Sequence, residues 1–143
     1  MATAIRLILG ALAGLLVTLV LVMAVEMFSS VVHPFPPDLE MNQETICDHV
    51  AAYPSWVLAV VVGLWGGTAF LGVWVAGKVG HPLAAIVTGG LVLWGLAFNL
   101  YMLPYPLWFK VVMPTAALMA IALAIATTKG RGIRAMRQAT PDS

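Results

Sequence analysis

Charge is scarce in this chain. Of its 143 residues only 9% are Asp, Glu, Lys or Arg, while 62% are hydrophobic and the mean hydropathy is +0.98. A water-soluble surface ordinarily needs about 25–35% charged side chains, so this composition excludes an ordinary soluble domain. Cysteine is nearly absent too: lone Cys47 has no partner for an internal disulfide, and no Cys/His spacing fits a structural zinc site. The net charge of +1 carries no basic domain, which removes nucleic acid from the expected partners. What the chain has instead is long apolar runs, where a soluble core would scatter such residues at helix or strand period. The bilayer is the expected solvent.

Four runs are long enough to cross it. The first, residues 7–28, would extend roughly 33 Å as a helix, against a hydrocarbon core of about 30 Å. Its only charge is Glu26, close to its end. A signal peptide is the competing reading, with Arg6 ahead of the run and Ala24 near its end, but an h-region spans only about 7–15 residues. The other spans are expected at 55–77, 83–103 and 107–128, with Lys110 snorkelling from the first turn of the last and Pro114 kinking it. Their joints are short, so consecutive helices should be antiparallel neighbours. The expected fold is all-α: an integral membrane, antiparallel four-helix transmembrane bundle over residues 1–128, followed by a basic tail at 129–143.

One hydrophilic stretch, residues 29–54, separates the first two spans. His33-Pro34-Phe35-Pro36-Pro37 should be extended, because each proline fixes its own φ and steers its predecessor out of the helical region. Asn42 has the chemistry of an N-cap, and Ile46 with Val50 marks the apolar face of a short surface helix ended by Pro54. Arg6, Lys78, Lys129, Arg131, Arg134 and Arg137 fall on one side of the four-pass arrangement and Lys110 alone on the other. The positive-inside rule makes the first side cytoplasmic, with both termini there and the loop outside, in a cell (inner) membrane. Trp56, Trp108, Tyr53, Tyr101 and Tyr105 then form an outer aromatic belt, and Trp74 approaches the inner boundary.

Few residues are candidates for chemistry. Glu26 is costly within a span and is expected either to reach interfacial water or to hold an ion or proton at the outer mouth. Asn99 falls at a similar depth, within hydrogen-bonding reach, and a purely structural clasp between the two would be worth about 0.6–2 kcal/mol. His33, with Asp48 and His49, could add metal ligands to Glu26, but the spacing matches no known ligand pattern and the metal question stays open. Nothing around Ser29, Ser30 or Cys47 resembles a nucleophile motif. Gly10 with Gly14, and Gly63 with Gly67, have the small-xxx-small spacing of packed membrane helices, which favours a tight bundle and homo-oligomerisation or a membrane protein partner. Trp65 and Trp94 are expected to fill space opposite glycines near mid-membrane, with a ligand pocket lined by their indoles as the lesser alternative. Arg131, Arg134 and Arg137, three apart, suit one face of a short helix on anionic lipid headgroups at the inner leaflet. No cofactor is expected.

Glu26-Met27 closing the first span, the His33-Pro34-Phe35-Pro36-Pro37 stretch, Val75-Ala76-Gly77 and the run from Asn99 to Phe109 together resemble a family of small bacterial four-transmembrane-helix proteins of uncharacterised function. That resemblance covers nearly the whole chain and implies the fold and a bacterial membrane, but no activity. The function expected from the residues is therefore a structural or accessory membrane protein acting through helix packing. The alternatives are an oligomeric channel or transporter with Glu26 and Asn99 at its outer entry, and an outer-face metal-binding protein or enzyme.

Overall fold

The computed structural model describes residues 1–38 and 40–138, with side chains described up to residue 128. Among the described residues the chain is all-helical and has no strand. Five helices follow one another: α1 (Ala2–Val32), α2 (Gln43–Ala51), α3 (Ser55–Val79), α4 (Pro82–Met102) and α5 (Leu107–Gln138). Four of them, counting Leu107–Thr128 of α5, are long and apolar enough to cross a membrane.

Local chemistry sets the boundaries, and it corrects several expected from the apolar runs. α1 does not stop at Phe28. Nothing breaks the helix until Pro34 pushes His33 into an extended conformation (φ −137°, ψ 75°), so Ser29–Val32 remain helical and the hydrophilic loop begins four residues later than expected. At 1.5 Å per residue α1 is roughly 46 Å long, well beyond a hydrocarbon core of about 30 Å. α2 is capped as its sequence suggests: Asn42 Oδ1 accepts from the Thr45 N–H at 2.9 Å, and the Asn42 N–H donates to Thr45 Oγ1 at 3.1 Å. α3 opens after Pro54. α4 opens with Pro82 in its first turn, where no N–H is missed, and His81 Nδ1 accepts from the Leu83 N–H at 3.2 Å. α5 is helical straight through Pro114 and continues past Thr128 to Gln138. The basic segment thus continues α5 instead of forming a separate short helix, since Gly130 and Gly132 each cost only about 1 kcal/mol and no proline intervenes. The headgroup contacts expected of Arg131, Arg134 and Arg137 lie outside the described side chains.

α3 is the central element. It packs against α1, α4 and α5; α4 also touches α1 and α5, and no contact joins α1 to α5 among the described residues. α1 is peripheral, with 17% of its most apolar window buried against 39% for α3 and α4. What holds it is close backbone approach. Gly10 and Gly14 are buried, and a Cβ at Gly10 would stand 2.6 Å from Gly80 Cα, while one at Gly14 would stand 2.6 Å from the Gly72 carbonyl oxygen. The interior forms two clusters. One, nearer α2, gathers Val57, Leu58, Leu96, Phe109 and Met113; the other, further along the helices, gathers Ala69, Val73, Ala85, Ile121 and Ala124.

Candidate functional site

A small cavity opens at the α2 end, where α1 and α4 finish and α3 and α5 begin. α1 contributes Glu26 and Ser29, α3 contributes Leu58, Val61 and Trp65, and α4 contributes Leu96, Asn99 and Leu100. Tyr53 enters from the turn before α3 and Tyr105 from the connection before α5, with Phe109 and Met113 completing the wall. The volume open to water-sized molecules is about 40 Å³. One water needs about 10–15 Å³ by this measure, so the space suits about three waters or one compact ligand.

The lining has a definite polarity. Ser29 is buried, Asn99, Tyr53 and Tyr105 are half-buried, and Glu26 is exposed, so the carboxylate stands at the mouth. Glu26 and Asn99 share this cavity without the direct hydrogen bond that their depth suggested. Among the described residues no Lys, Arg or His lines it. Burial, then the Glu26 carboxylate, pushes the Tyr105 phenol up to about 12, and the same two causes in the same order raise Tyr53. Both phenols therefore remain protonated at neutral pH and keep an O–H to donate. Beneath the cavity the interior is apolar. Leu96, Met113 and Phe109 are each 2% exposed, and the polar side chains deeper in the core are Thr68 and Thr88, the latter with its Oγ1 unpaired.

His33 does not join Glu26. It belongs to an aromatic clasp that ties the loop to the helices: its ring stacks on His49 with centroids 4.3 Å apart and an 18° interplanar angle, and Tyr53 lies 4.6 Å from it. Phe35 packs at 5.1 Å from the His49 ring, and His33 Nε2 lies 3.4 Å from the His49 carbonyl oxygen. Burial, followed by the charge of His33, lowers the affinity of His49 for a proton. Tyr53 is common to the clasp and the cavity, so the loop and the site share one side chain. Asp48 is exposed. No group of three or more His, Cys, Asp or Glu able to hold a metal ion occurs among the described residues.

The glycines divide sharply. Gly10 and Gly14 face α3, whereas a Cβ at Gly63, Gly66, Gly67, Gly90 or Gly95 would meet nothing within 4 Å. Gly63 and Gly67 line an open apolar groove with Leu21 and Phe28, and Gly95 lines another with Leu15 and Leu91. Trp65 packs inward against the cavity. Trp94, expected to fill space inside, points outward with 72% exposure and stacks on Phe98 at 6.5 Å. Three cavity residues, Tyr53, Tyr105 and Ser29, were not singled out for chemistry by sequence, and Trp65 was offered as a ligand-pocket residue only as the lesser alternative. Tyr53 and Tyr105 passed for belt aromatics, Ser29 for a loop residue and Trp65 for filler. The available signal was the prolines beside both tyrosines, in Tyr53-Pro54 and Pro104-Tyr105-Pro106, which restrict where those rings can go.

Comparison of the chain with protein-family models, curated proteins and solved structures gave no match.

Proposed function

We propose that this is a multi-pass protein of a bacterial inner (cell) membrane: an antiparallel four-helix transmembrane bundle with both termini cytoplasmic and the loop with α2 outside. Within it the protein acts as an accessory component that packs against membrane neighbours and receives a small polar ligand at its outer end, without conducting. The observation that carries this reading is the blind floor of the cavity. Below Trp65, Leu96 and Met113 come Ala69, Val73, Ala85 and Ile121, and the deep polar groups are two threonines. A conduction path needs polar groups or water through its middle. Support for the membrane placement comes from the four apolar helices, from the distribution of Lys and Arg about them, and from the resemblance to small bacterial membrane proteins. Support for packing with a second copy or another membrane protein comes from the open grooves beside Gly63, Gly67 and Gly95.

Two measurements test it together. Reporters fused to either terminus should be active only in the cytoplasm, and one inserted after Glu40 only outside. Liposomes holding the purified protein should pass neither protons nor alkali cations, in the wild type and in Glu26→Gln alike. Flux that disappears in Glu26→Gln would replace this reading with a channel or transporter.

A further inference from the structure

The outer cavity has the chemistry of one ligand class. Among the described residues its only charged lining residue is Glu26, and no base lines it; Lys110 follows Phe109 in sequence without reaching the wall. An anion would meet an unopposed carboxylate, whereas a cation would complete it. Oxygen acceptors surround the space: the ionised carboxylate can only accept hydrogen bonds, and the Asn99 amide and Ser29 hydroxyl each offer a further acceptor. The remaining wall is unusually aromatic, with Tyr53, Tyr105, Trp65 and Phe109, and aromatic rings attract a cation through their negative faces.

Three further considerations narrow the cation. A divalent metal is disfavoured, because such ions take several charged or oxygen ligands, and no cluster of three metal-ligating side chains exists among the described residues. An alkali ion must trade its hydration shell for oxygen ligands, and beyond Glu26 the cavity offers it only a few neutral side-chain oxygens. A quaternary trimethylammonium group has no N–H, so it would leave the carboxylate, amide and hydroxyl acceptors without a donor. A primary ammonium fits each constraint. It is a compact +1 charge with three N–H donors and no acceptor, matched to a carboxylate, an amide oxygen and a hydroxyl.

We infer that the cavity lined by Glu26, Ser29, Asn99, Tyr53, Tyr105 and Trp65 binds a primary ammonium group, with Glu26 as its counter-ion. The group comes either from a free small amine in the outer medium or from an aminoethyl lipid headgroup at the outer leaflet, since the cavity opens at the level of that interface. The inference rests on the proposed membrane placement and its outer-end site; the reporter fusions test that placement independently of any ligand.

The test is titration of the full-length protein in phosphatidylcholine nanodiscs with methylammonium chloride, sodium chloride and tetramethylammonium chloride, read by calorimetry and by Trp fluorescence. Methylammonium should bind one to one, with sodium and tetramethylammonium much weaker. Glu26→Gln, close to isosteric, should weaken methylammonium by roughly ten- to a hundredfold, the worth of a charge-assisted hydrogen bond, and Glu26→Asp should keep part of it. If Glu26→Gln fails to fold, Asn99→Leu provides the second reading, with a loss of roughly tenfold expected for one removed hydrogen bond. Repeating the titration in discs containing phosphatidylethanolamine separates the two sources: competition identifies the lipid headgroup, and unchanged affinity identifies the free amine. No methylammonium binding, equal binding by folded Glu26→Gln, or a preference for sodium or tetramethylammonium would overturn the inference.

Discussion

The two halves of the packed helices are built from different residues and behave differently as solvents. Near α2 the interior holds Leu58, Leu96, Phe109 and Met113, large side chains whose shapes do not tile completely, and a small cavity with polar walls remains among them. Further along, Ala69, Ala85 and Ala124 alternate with Val73 and Ile121, and Gly10, Gly14 and Gly72 bring the backbones of α1 and α3 together. Small residues let helices approach until no ligand-sized space is left. Large ones hold them apart and create a place where a carboxylate at one end can be useful. The difference teaches that one largely apolar chain can be tightly closed in one half and leave a cavity in the other through side-chain volume, with the few polar groups gathered where the space is.

That contrast can be broken from either side. The largest effect is expected from Leu96→Ala, which removes a 2%-exposed side chain between the cavity and the sealed half; a loss of about 2–5 kcal/mol in detergent unfolding should accompany a larger, wetter cavity. Unchanged stability would show that the large-residue cluster carries little of the fold. Next comes Gly14→Ala. Its new methyl would stand 2.6 Å from the Gly72 carbonyl oxygen and from the Ala76 Cβ, so α1 must shift, at a cost of about 1–3 kcal/mol in the same measurement.

A smaller effect concerns the clasp over the receptive half. His49 binds its proton less readily in the folded chain than at its ordinary value of 6.5, because burial and His33 both disfavour the charged ring. Its contribution to stability is therefore fully present above pH 6.5 and is lost as the pH falls through the depressed folded value. Amide protection factors in α2 should fall on acidification while those in α3 do not change, and His49→Phe, which keeps a ring in the stack, should flatten the response. The smallest effect is expected at Gly67. Its Cβ position is open, so Gly67→Ala should stabilise the isolated chain by up to about 1 kcal/mol through helix propensity, while weakening any association that uses the groove, read by native mass spectrometry.

Particular residues show how far sequence reasoning reaches. The α2 cap at Asn42 and the helix stop at Pro34 were legible because both depend on neighbouring residues only, whereas Pro37, expected in an extended stretch, lies in a turn. The end of α1 was misplaced at Phe28, since hydropathy marks where lipid is expected to end and not where the helix ends; the stop came from Pro34. Glu26 and Asn99 were legible as neighbours, which now line one cavity, because both stand near helix ends on one side of the chain. Tyr53, Tyr105 and Trp65 were not, since they come from other places along the sequence and meet only after the helices pack; Ser29, one turn beyond Glu26, was missed because it was assigned to the loop. The Glu26–His33 pairing failed for a local reason: His33 left the helix and found His49 instead.

By itself the sequence determined that this chain makes four long apolar helices, with polar chemistry gathered near one loop, because hydropathy, prolines and caps act over a few residues. Which face of each helix turns inward was decided only by the tertiary structure. These helices are apolar nearly all round, so no stripe of hydrophobic residues marks a buried side. Close fit between backbones chose Gly10 and Gly14 for contact and left Gly63 and Gly67 in the open.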